Sequence, residues 1–526
     1  MLQSIGIGIQ TLPKLLASGG VYVDKTEAAY RFVTGYKCVF ISRPRRFGKS
    51  LMVSTLNEIF SGNKELFKGL WIYDKLDWAQ YDYPVLRFDL SMRETSKIPL
   101  YDSIEGQLNL AAEQYNIQLT SVGIGMMLME LIRKTAAQSR TKKVVVLIDE
   151  YDSPITHYHD KPEQKEAHAD VLRGFYGILK GMDPYLRQVF ITGITRYTRL
   201  GLFSALNNVT DLTLHEDYAT AFGYTQTEIE ANFAPHIDLM AARLKLQRDE
   251  LLGHIRHWYN GYSWDGQTRV YNPFGFANFL IIKEFQSYWT MTGSTRLLQP
   301  AFREQALVID DLEGYDTDGS ILDSIDYSAD GGIPLLFQTG YLTIKEKYRD
   351  GIQTQYILHI PNEEVRRALN TEALVTFFED GNQPTKARQL TDALRRALDT
   401  GDVEEIIDII KIFIAALPYQ IIHRREAYWH SVVQTVLYCS GRRTYSEVPS
   451  SDGRADTITE TPRFVYLFEY KTNGAATDAI AQIREKGYAE RYRKSGKTVI
   501  GVGIVFDKAS RSITDWTSET LVTISE

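Results

Sequence analysis

The sequence predicts an α/β chain with a parallel sheet near its N-terminus, a mostly helical middle and a smaller α/β domain at its C-terminus. Three observations carry this. A short apolar segment, Lys37–Ser42, turns through Gly48-Lys49-Ser50 into a segment of helical periodicity. A second apolar run, Val144–Ile148, ends in Asp149-Glu150 about 100 residues later. The last fifth reads helix, three strands, helix, strand, and its third strand ends in Glu469-Tyr470-Lys471, thirteen residues after Asp456. Strands alternating with helices argue for crossover connections and a parallel sheet.

A chain of 526 residues is long enough for two to four domains with real cores. Its 44% hydrophobic and 24% charged residues are those of an ordinary globular protein. The two cysteines, Cys38 and Cys439, lie far apart, which argues against a disulfide framework or a cysteine zinc site and fits a reducing cytoplasm. The first residues lack the basic-then-apolar pattern of a signal peptide. No apolar run approaches the length of a membrane span, so no membrane partner is expected. Net charge is −7, yet residues 419–526 hold 15 Lys and Arg against 13 Asp and Glu. The acidic excess lies upstream, and metal-binding acids would mask any basic footprint, so charge alone does not settle the partner.

The elements follow in order. Residues 37–42 read as a buried strand and 51–60 as a helix, with Arg43-Pro44-Arg45-Arg46-Phe47-Gly48-Lys49-Ser50 between them. Strand, turn, Gly-Lys-Ser and helix is the setting of a P-loop. There, the backbone of Arg46, Phe47, Gly48 and Leu51 and the helix N-terminus cradle phosphates, Lys49 reaches the β/γ-phosphates, and Ser50 coordinates Mg²⁺. Position 43 departs from the usual pattern, since Arg stands where the first Gly is expected. Phe88-Asp89-Leu90-Ser91 ends another strand. The run ending Asp149-Glu150 has the form of a Walker B strand, in which Asp149 holds Mg²⁺ and Glu150 polarises the attacking water. A strand over 186–195 ends in polar groups, and Thr192, Arg196 and Arg199 are candidates for contact with the γ-phosphate, in cis or from a neighbouring subunit.

At this point Tyr22-Val23-Asp24-Lys25-Thr26, the Arg-Pro-Arg-Arg-Phe-Gly-Lys-Ser loop, Ile148-Asp149-Glu150-Tyr151-Asp152 and Leu202-Phe203-Ser204-Ala205-Leu206-Asn207-Asn208 together resemble the AAA-ATPase-like family. The resemblance covers roughly 1–230. It implies ATP as cofactor, and in that family Arg at position 43 is usual.

Beyond it, Thr225 followed by Glu228 is a capping box opening a helix. The aromatic segments His257–Trp264 and Val270–Phe274 and the later 335–342 and 360–365 resemble the lid and connecting segment that accompanies this ATPase. Their aromatics are read as core and turns in preference to base-stacking platforms. Residues 384–412 have helical spacing and lead into the last domain. The expected domains are 1–222 (AAA-like P-loop ATPase), 223–385 (mostly helical lid) and 386–526 (α/β, nuclease-like).

In that last domain Glu469 and Lys471 share a strand face with Val465 and Leu467, while Phe464, Tyr466, Phe468 and Tyr470 fill the other. A carboxylate and an amine ending a strand buried on both faces need partners or a job. Hard carboxylates suit Mg²⁺, so Asp456 and Glu469 are read as metal ligands, with the Tyr470 carbonyl as a further one. Lys471 orients or helps deprotonate the attacking water and offsets charge, Gln482 orients Lys471 or substrate, and Glu447 completes the metal shell or holds a second ion. Glu426–His430, Gly453–Asp456, Phe468–Lys471 and Gln482–Tyr488 resemble the PD-(D/E)XK nuclease domain that is often joined to this ATPase. The expectation is a nucleotide-controlled nuclease acting on nucleic acid, DNA favoured over RNA, with self-assembly required if Arg196 or Arg199 acts in trans. The competing reading is a nucleotide switch whose last domain grips nucleic acid or protein without cutting. Motifs of a DNA motor are not visible.

Overall fold

A computed structural model describes residues 2–91, 99–156, 158, 161–196, 209–289, 312–322, 332–378, 384–415, 426–450, 453–472, 474–493, 495–507 and 512–523. By compactness the chain falls into two units. One comprises Met1–Gly293 with Gly314–Glu364, and the other Ser294–Glu313 with Val365–Glu526. Each is taken by itself.

The first unit is built on a five-stranded sheet ordered β2-β3-β4-β1-β5, with β1 Cys38–Ser42, β2 Val85–Asp89, β3 Val144–Asp149, β4 Leu186–Gly193 and β5 Thr210–Asp211. Every pairing is parallel. β1 and β3 are buried at every position, which is why they read as unbroken apolar runs and not as alternating ones. Helices Leu100–Gln114, Ile124–Gln138 and Pro162–Gly181 pack their apolar stripes, among them Ile104, Leu108, Leu131, Leu172 and Phe175, on Phe88, Val146 and Ile148.

Among the described residues, 223–289 add four helices around a second core of Ile229, Phe233, Ile237, Leu251, Ile255, Tyr259 and Phe279. The helix Gln226–Asn232 starts with the expected box: Thr225 Oγ1 accepts the Glu228 N–H and the Glu228 carboxylate accepts that of Thr225. Further along the same unit, the described strands β6 Tyr315–Asp318, β7 Thr343–Asp350 and β8 Gln353–His359 form an antiparallel sheet ordered β6-β8-β7. Within the expected lid segment, residues up to Gly293 and Gly314–Glu364 fall in the same compact unit as the P-loop sheet.

Glu364 ends that unit in an unusual state. It is fully buried, and its Oε1 accepts the N–H groups of Tyr288 and Trp289, both at 2.8 Å. Burial lifts its carboxyl from an ordinary 4.5 to about 8. A carboxyl whose folded value is raised holds its proton more tightly when folded. Its contribution to stability is complete below the unfolded value and is lost as pH rises through 8. Glu364→Gln keeps the acceptor oxygen and carries no charge. We expect it to flatten the fall of melting temperature across this window and to melt above wild type at pH 9 (~one unit past the folded value). Parallel pH profiles of the two melts would refute this.

The second unit carries a five-stranded sheet ordered β13-β12-β11-β10-β9, from β9 Arg443–Ser450, β10 Gly453–Glu460, β11 Phe464–Lys471, β12 Thr498–Asp507 and β13 Ser512–Val522. β11 lies at its centre, parallel to β12 and antiparallel to β10. Helices Pro384–Thr400, Val403–Ala415 and Glu426–Cys439 cover the face bearing Tyr466, Phe468 and Tyr470. The helices over 384–415 are part of this core, through Leu394, Ile406 and Ile410. The helix Ala476–Glu485 covers the other face, with Ile480 and Ile483 on Val465 and Leu467.

Two details differ from expectation. The last helix ends at Glu485 instead of near Arg491. Gly487 takes φ 62°, its N–H reaches Arg484 O, and the Tyr488 N–H reaches Ile483 O, a glycine-terminated Schellman stop. The strand β13 was not anticipated. Its polar, mostly half-exposed sequence is that of an edge strand.

Candidate active sites

At the C-terminal end of β1 the chain enters the loop Arg43–Gly48. Arg46 has φ 69° and Gly48 φ 94°, so the loop turns twice through the left-handed region before helix Lys49–Phe60 begins. Successive N–H groups held this way form an anion-binding concavity, here continuous with a helix N-terminus. Lys49 is buried. Its Nζ donates to Arg43 O at 3.1 Å and Pro44 O at 3.2 Å, and lies 3.6 Å from Glu150 Oε1.

Asp149, ending β3, is fully buried. Its Oδ1 accepts the Glu150 N–H at 3.0 Å, and its Oδ2 is buried without a hydrogen-bond partner. Burial lifts this carboxyl to about 6, against the opposing pull of the Ser50 hydroxyl and the Lys49 ammonium. A buried oxygen left without a donor, beside Ser50 and a lysine, is the donor set that a magnesium–nucleotide would satisfy. Arg46, Phe47, Gly48, Lys49, Ser50, Leu51 and Glu150 all line one cavity of about 440 Å³, which Gly6–Gln10, Val23, Tyr224 and Phe274 complete.

Not every candidate joins them. Thr192 is buried at the end of β4 and its hydroxyl donates to Ile41 O at 2.8 Å, tying β4 to β1. Arg196 forms an ion pair with Asp211 at 2.7 Å and lines a separate cavity of about 360 Å³ with Ser42, Arg43 and Trp264. Neither lines the P-loop cavity. Arg199 and the segment Leu202–Asn208 lie outside the described residues.

Other motif residues prove architectural. Arg43, the departure from the usual loop, is buried. It donates to Ser42 O, Thr213 O and Tyr218 O at 2.8–2.9 Å, with its guanidinium 4.0 Å from the Trp264 ring centroid. Burial pulls its guanidinium down to about 9. It braces the loop where glycine would leave space. Asp152 accepts the N–H groups of Ile194 and Thr195 and the Thr195 hydroxyl, fixing the end of β4 beside Asp149-Glu150. Lys25 bridges Thr220 O and both Glu228 carboxylate oxygens.

The second site lies on β11. Glu469 and Lys471 point, as expected, to the face covered by the Gln482 helix. Gly503 of β12 stands opposite Glu469, and a Cβ there would lie 2.4 Å from Ala476 O. Glycine at this position lets the helix approach the sheet closely. Gly501-Val502-Gly503 is the sequence signal of that approach, and it was read only as strand.

The Gln482 amide then bridges the pair. Lys471 Nζ donates to its Oε1, and its Nε2 donates to Glu469 Oε1, so the amide orientation follows from its two partners. Lys471 Nζ is also 3.7 Å from Glu469 Oε1. Asp456 Oδ2 accepts the Tyr470 N–H at 2.8 Å, which places its carboxylate beside Glu469. Burial, then the neighbouring Asp456 charge, lifts the Glu469 carboxyl to about 8. Its Oε2 is buried without a hydrogen-bond partner.

Two adjacent carboxylates that raise each other's charging cost, one with an orphaned oxygen, are suited to a hard divalent cation. Among the described residues no three His, Cys, Asp or Glu side chains converge to hold a metal. Glu447 is described by its backbone in β9, where Ala455 pairs with Val448 and Thr457 with Ser446, the residues on either side of Asp456 and Glu447.

Comparison with known proteins bears on the two domains that hold these residues. Residues 6–203 match the family model described as Predicted AAA-ATPase, and 424–516 match the PD-(D/E)XK nuclease superfamily. A protein of Azotobacter chroococcum mcd 1, named "Uncharacterized protein in vnfD 5'region", is 34% identical over 534 residues, covering 99% of both chains. No solved structure matches. Among the described residues no helix is long and apolar enough to cross a membrane. The chain belongs to the AAA-ATPase-like family and carries a C-terminal PD-(D/E)XK nuclease superfamily domain, an enzyme that joins an ATPase module to a nuclease module.

Proposed function

We propose that this protein binds and hydrolyses ATP with Mg²⁺ and that its last domain is a Mg²⁺-dependent nuclease under nucleotide control. The observation that carries the cleavage reading is the arrangement of Asp456, Glu469, Lys471 and Gln482, with a buried carboxylate oxygen that has no donor.

A divalent cation bound there supplies Lewis acidity toward a phosphodiester and its attacking water. The chain's own residues do the rest. Asp456 and Glu469 hold the cation, with the Tyr470 carbonyl and Glu447 as further ligands. Lys471, kept beside Glu469 by Gln482, orients the water, takes its proton, or offsets charge on the phosphoryl oxygens. In the ATPase domain Lys49 and the loop N–H groups bind phosphate, Ser50 and Asp149 hold the cation, and Glu150 orients the attacking water. Thr192, Arg196 and Arg199 are retained as candidates for the γ-phosphate end. With Arg196 engaged by Asp211, that role requires rearrangement or a neighbouring subunit, which mass measurement with and without ATP would reveal.

The preference for DNA over RNA, and a place in defence or mobile-element biology, are proposed by analogy with such domain combinations. The alternative, a nucleotide switch that grips without cutting, is weakened by the presence of every acid and base that cleavage needs.

One assay separates the two. Linear, circular and single-stranded DNA and RNA are incubated with the protein, with Mg²⁺ or Mn²⁺ or with chelator, and with or without ATP. Cleavage that needs metal and responds to ATP is expected. Binding without any cutting, under all of these conditions, favours the switch.

A further inference from the structure

The P-loop carbonyl of Arg45 meets two donors from outside the parallel sheet. Asn272 Nδ2 and Trp289 Nε1 each donate to it at 3.3 Å. The next residue, Arg46, is held at φ 69°, in the left-handed region that a non-glycine residue rarely adopts unaided. Something must hold the loop there. In a trans peptide the C=O and the following N–H point in opposite directions. Donors fixing the Arg45 carbonyl on one side therefore aim the Arg46 N–H at the other. Arg45 and Arg46 both line the P-loop cavity, so this peptide belongs to its anion-binding wall.

Both donors are rigidly held. Asn272 is fully buried, and its Oδ1 accepts the N–H groups of Phe274 and Gly275 at 3.0 and 3.2 Å, capping the helix Pro273–Ile282. That cap fixes the amide with Nδ2 toward Arg45. Trp289 is anchored by its backbone N–H to Glu364, and its ring meets Tyr341 edge-on at 4.9 Å. A third contact acts on the same place: the Arg46 guanidinium lies 4.8 Å from the Phe274 ring centroid, in the first turn of the helix that Asn272 caps.

We propose that Asn272 and Trp289 are positioning residues for nucleotide binding, which hold the Arg45 carbonyl and so turn the Arg46 N–H toward the polyphosphate. Nucleotide affinity is then set partly by the segment after the parallel sheet. This rests on the assignment of ATP to the P-loop.

Asn272→Asp preserves the capping oxygen but replaces the Nδ2 donor with an oxygen facing Arg45 O. Trp289→Phe keeps an aromatic ring and removes only the Nε1 donor. With the full chain, ATP turnover is measured against ATP concentration, and binding is measured with a fluorescent ATP analogue, alongside Lys49→Ala. We expect Asn272→Asp to raise KM and Kd about ten-fold and Trp289→Phe by about three-fold, with kcat within about two-fold, the pattern of lost uniform binding. A merely structural role would lower the melting temperature and the active fraction and leave KM alone. Wild-type KM and Kd in both variants, with binding lost in Lys49→Ala, overturns the proposal while the P-loop assignment stands. Wild-type binding in Lys49→Ala overturns that assignment and the proposal with it. If Asn272→Asp does not fold, Trp289→Phe decides.

Discussion

Lys49→Ala is expected to lower ATP turnover by about 10²–10³-fold, the usual loss when one charge-stabilising donor is removed from a transition state. The ammonium is buried among the carbonyls of Arg43 and Pro44 and the Glu150 carboxylate, so its removal leaves those acceptors without the cation they surround. Part of the loss will be structural, because those carbonyls lose a donor and Glu150 loses its counter-charge. Melting curves without nucleotide measure that part separately. Turnover near wild type in a folded Lys49→Ala protein would remove the P-loop from the reaction.

Glu469→Gln should abolish metal-dependent cleavage, by roughly 10³-fold or more, since the charge that holds the cation is worth several kcal/mol at the transition state. The same substitution is expected to leave the metal-free protein at least as stable as wild type. Glu469 is buried beside Asp456, so a neutral amide of equal size removes a desolvation penalty and a repulsion. Opposite signs for activity and stability are what distinguish a site residue from a structural ion pair. If Glu469→Gln melts well below wild type and still cuts with Mg²⁺, the Lys471–Gln482–Glu469 arrangement is a brace and not a catalytic centre.

Much of this was legible because it depends on short-range pattern. β1 and β3 read as continuous apolar runs since both faces of a parallel sheet are covered. The two faces of β11 followed from alternation, and the contacts of Tyr466 and Phe468 on one side and Val465 and Leu467 on the other agree with it. What stayed hidden depends on contacts distant in sequence. Nothing near Arg43 announces that Thr213, Tyr218 and Trp264 will receive its side chain. The hydroxyl of Thr192 turns to Ile41, and Arg196 finds Asp211, through pairings that a local reading of polar residues after a strand does not contain. β13 escaped because an edge strand needs little apolar sequence, and the early stop of the last helix because Gly487 was read as part of its pattern.

The position of β11 also bears on how cutting is controlled. It has a partner strand on each edge and a packed layer on each face. Amides in such a strand exchange with deuterium only when the whole unit opens, at a cost of about 5–15 kcal/mol. Coupling between distant sites is commonly about 1–3 kcal/mol. A signal of that size is smaller than the cost of opening β11, so the backbone that carries Glu469 and Lys471 stays paired while it acts. If nucleotide controls cutting as proposed, it does so without opening β11, and deuterium exchange should find β11 equally protected with and without ATP.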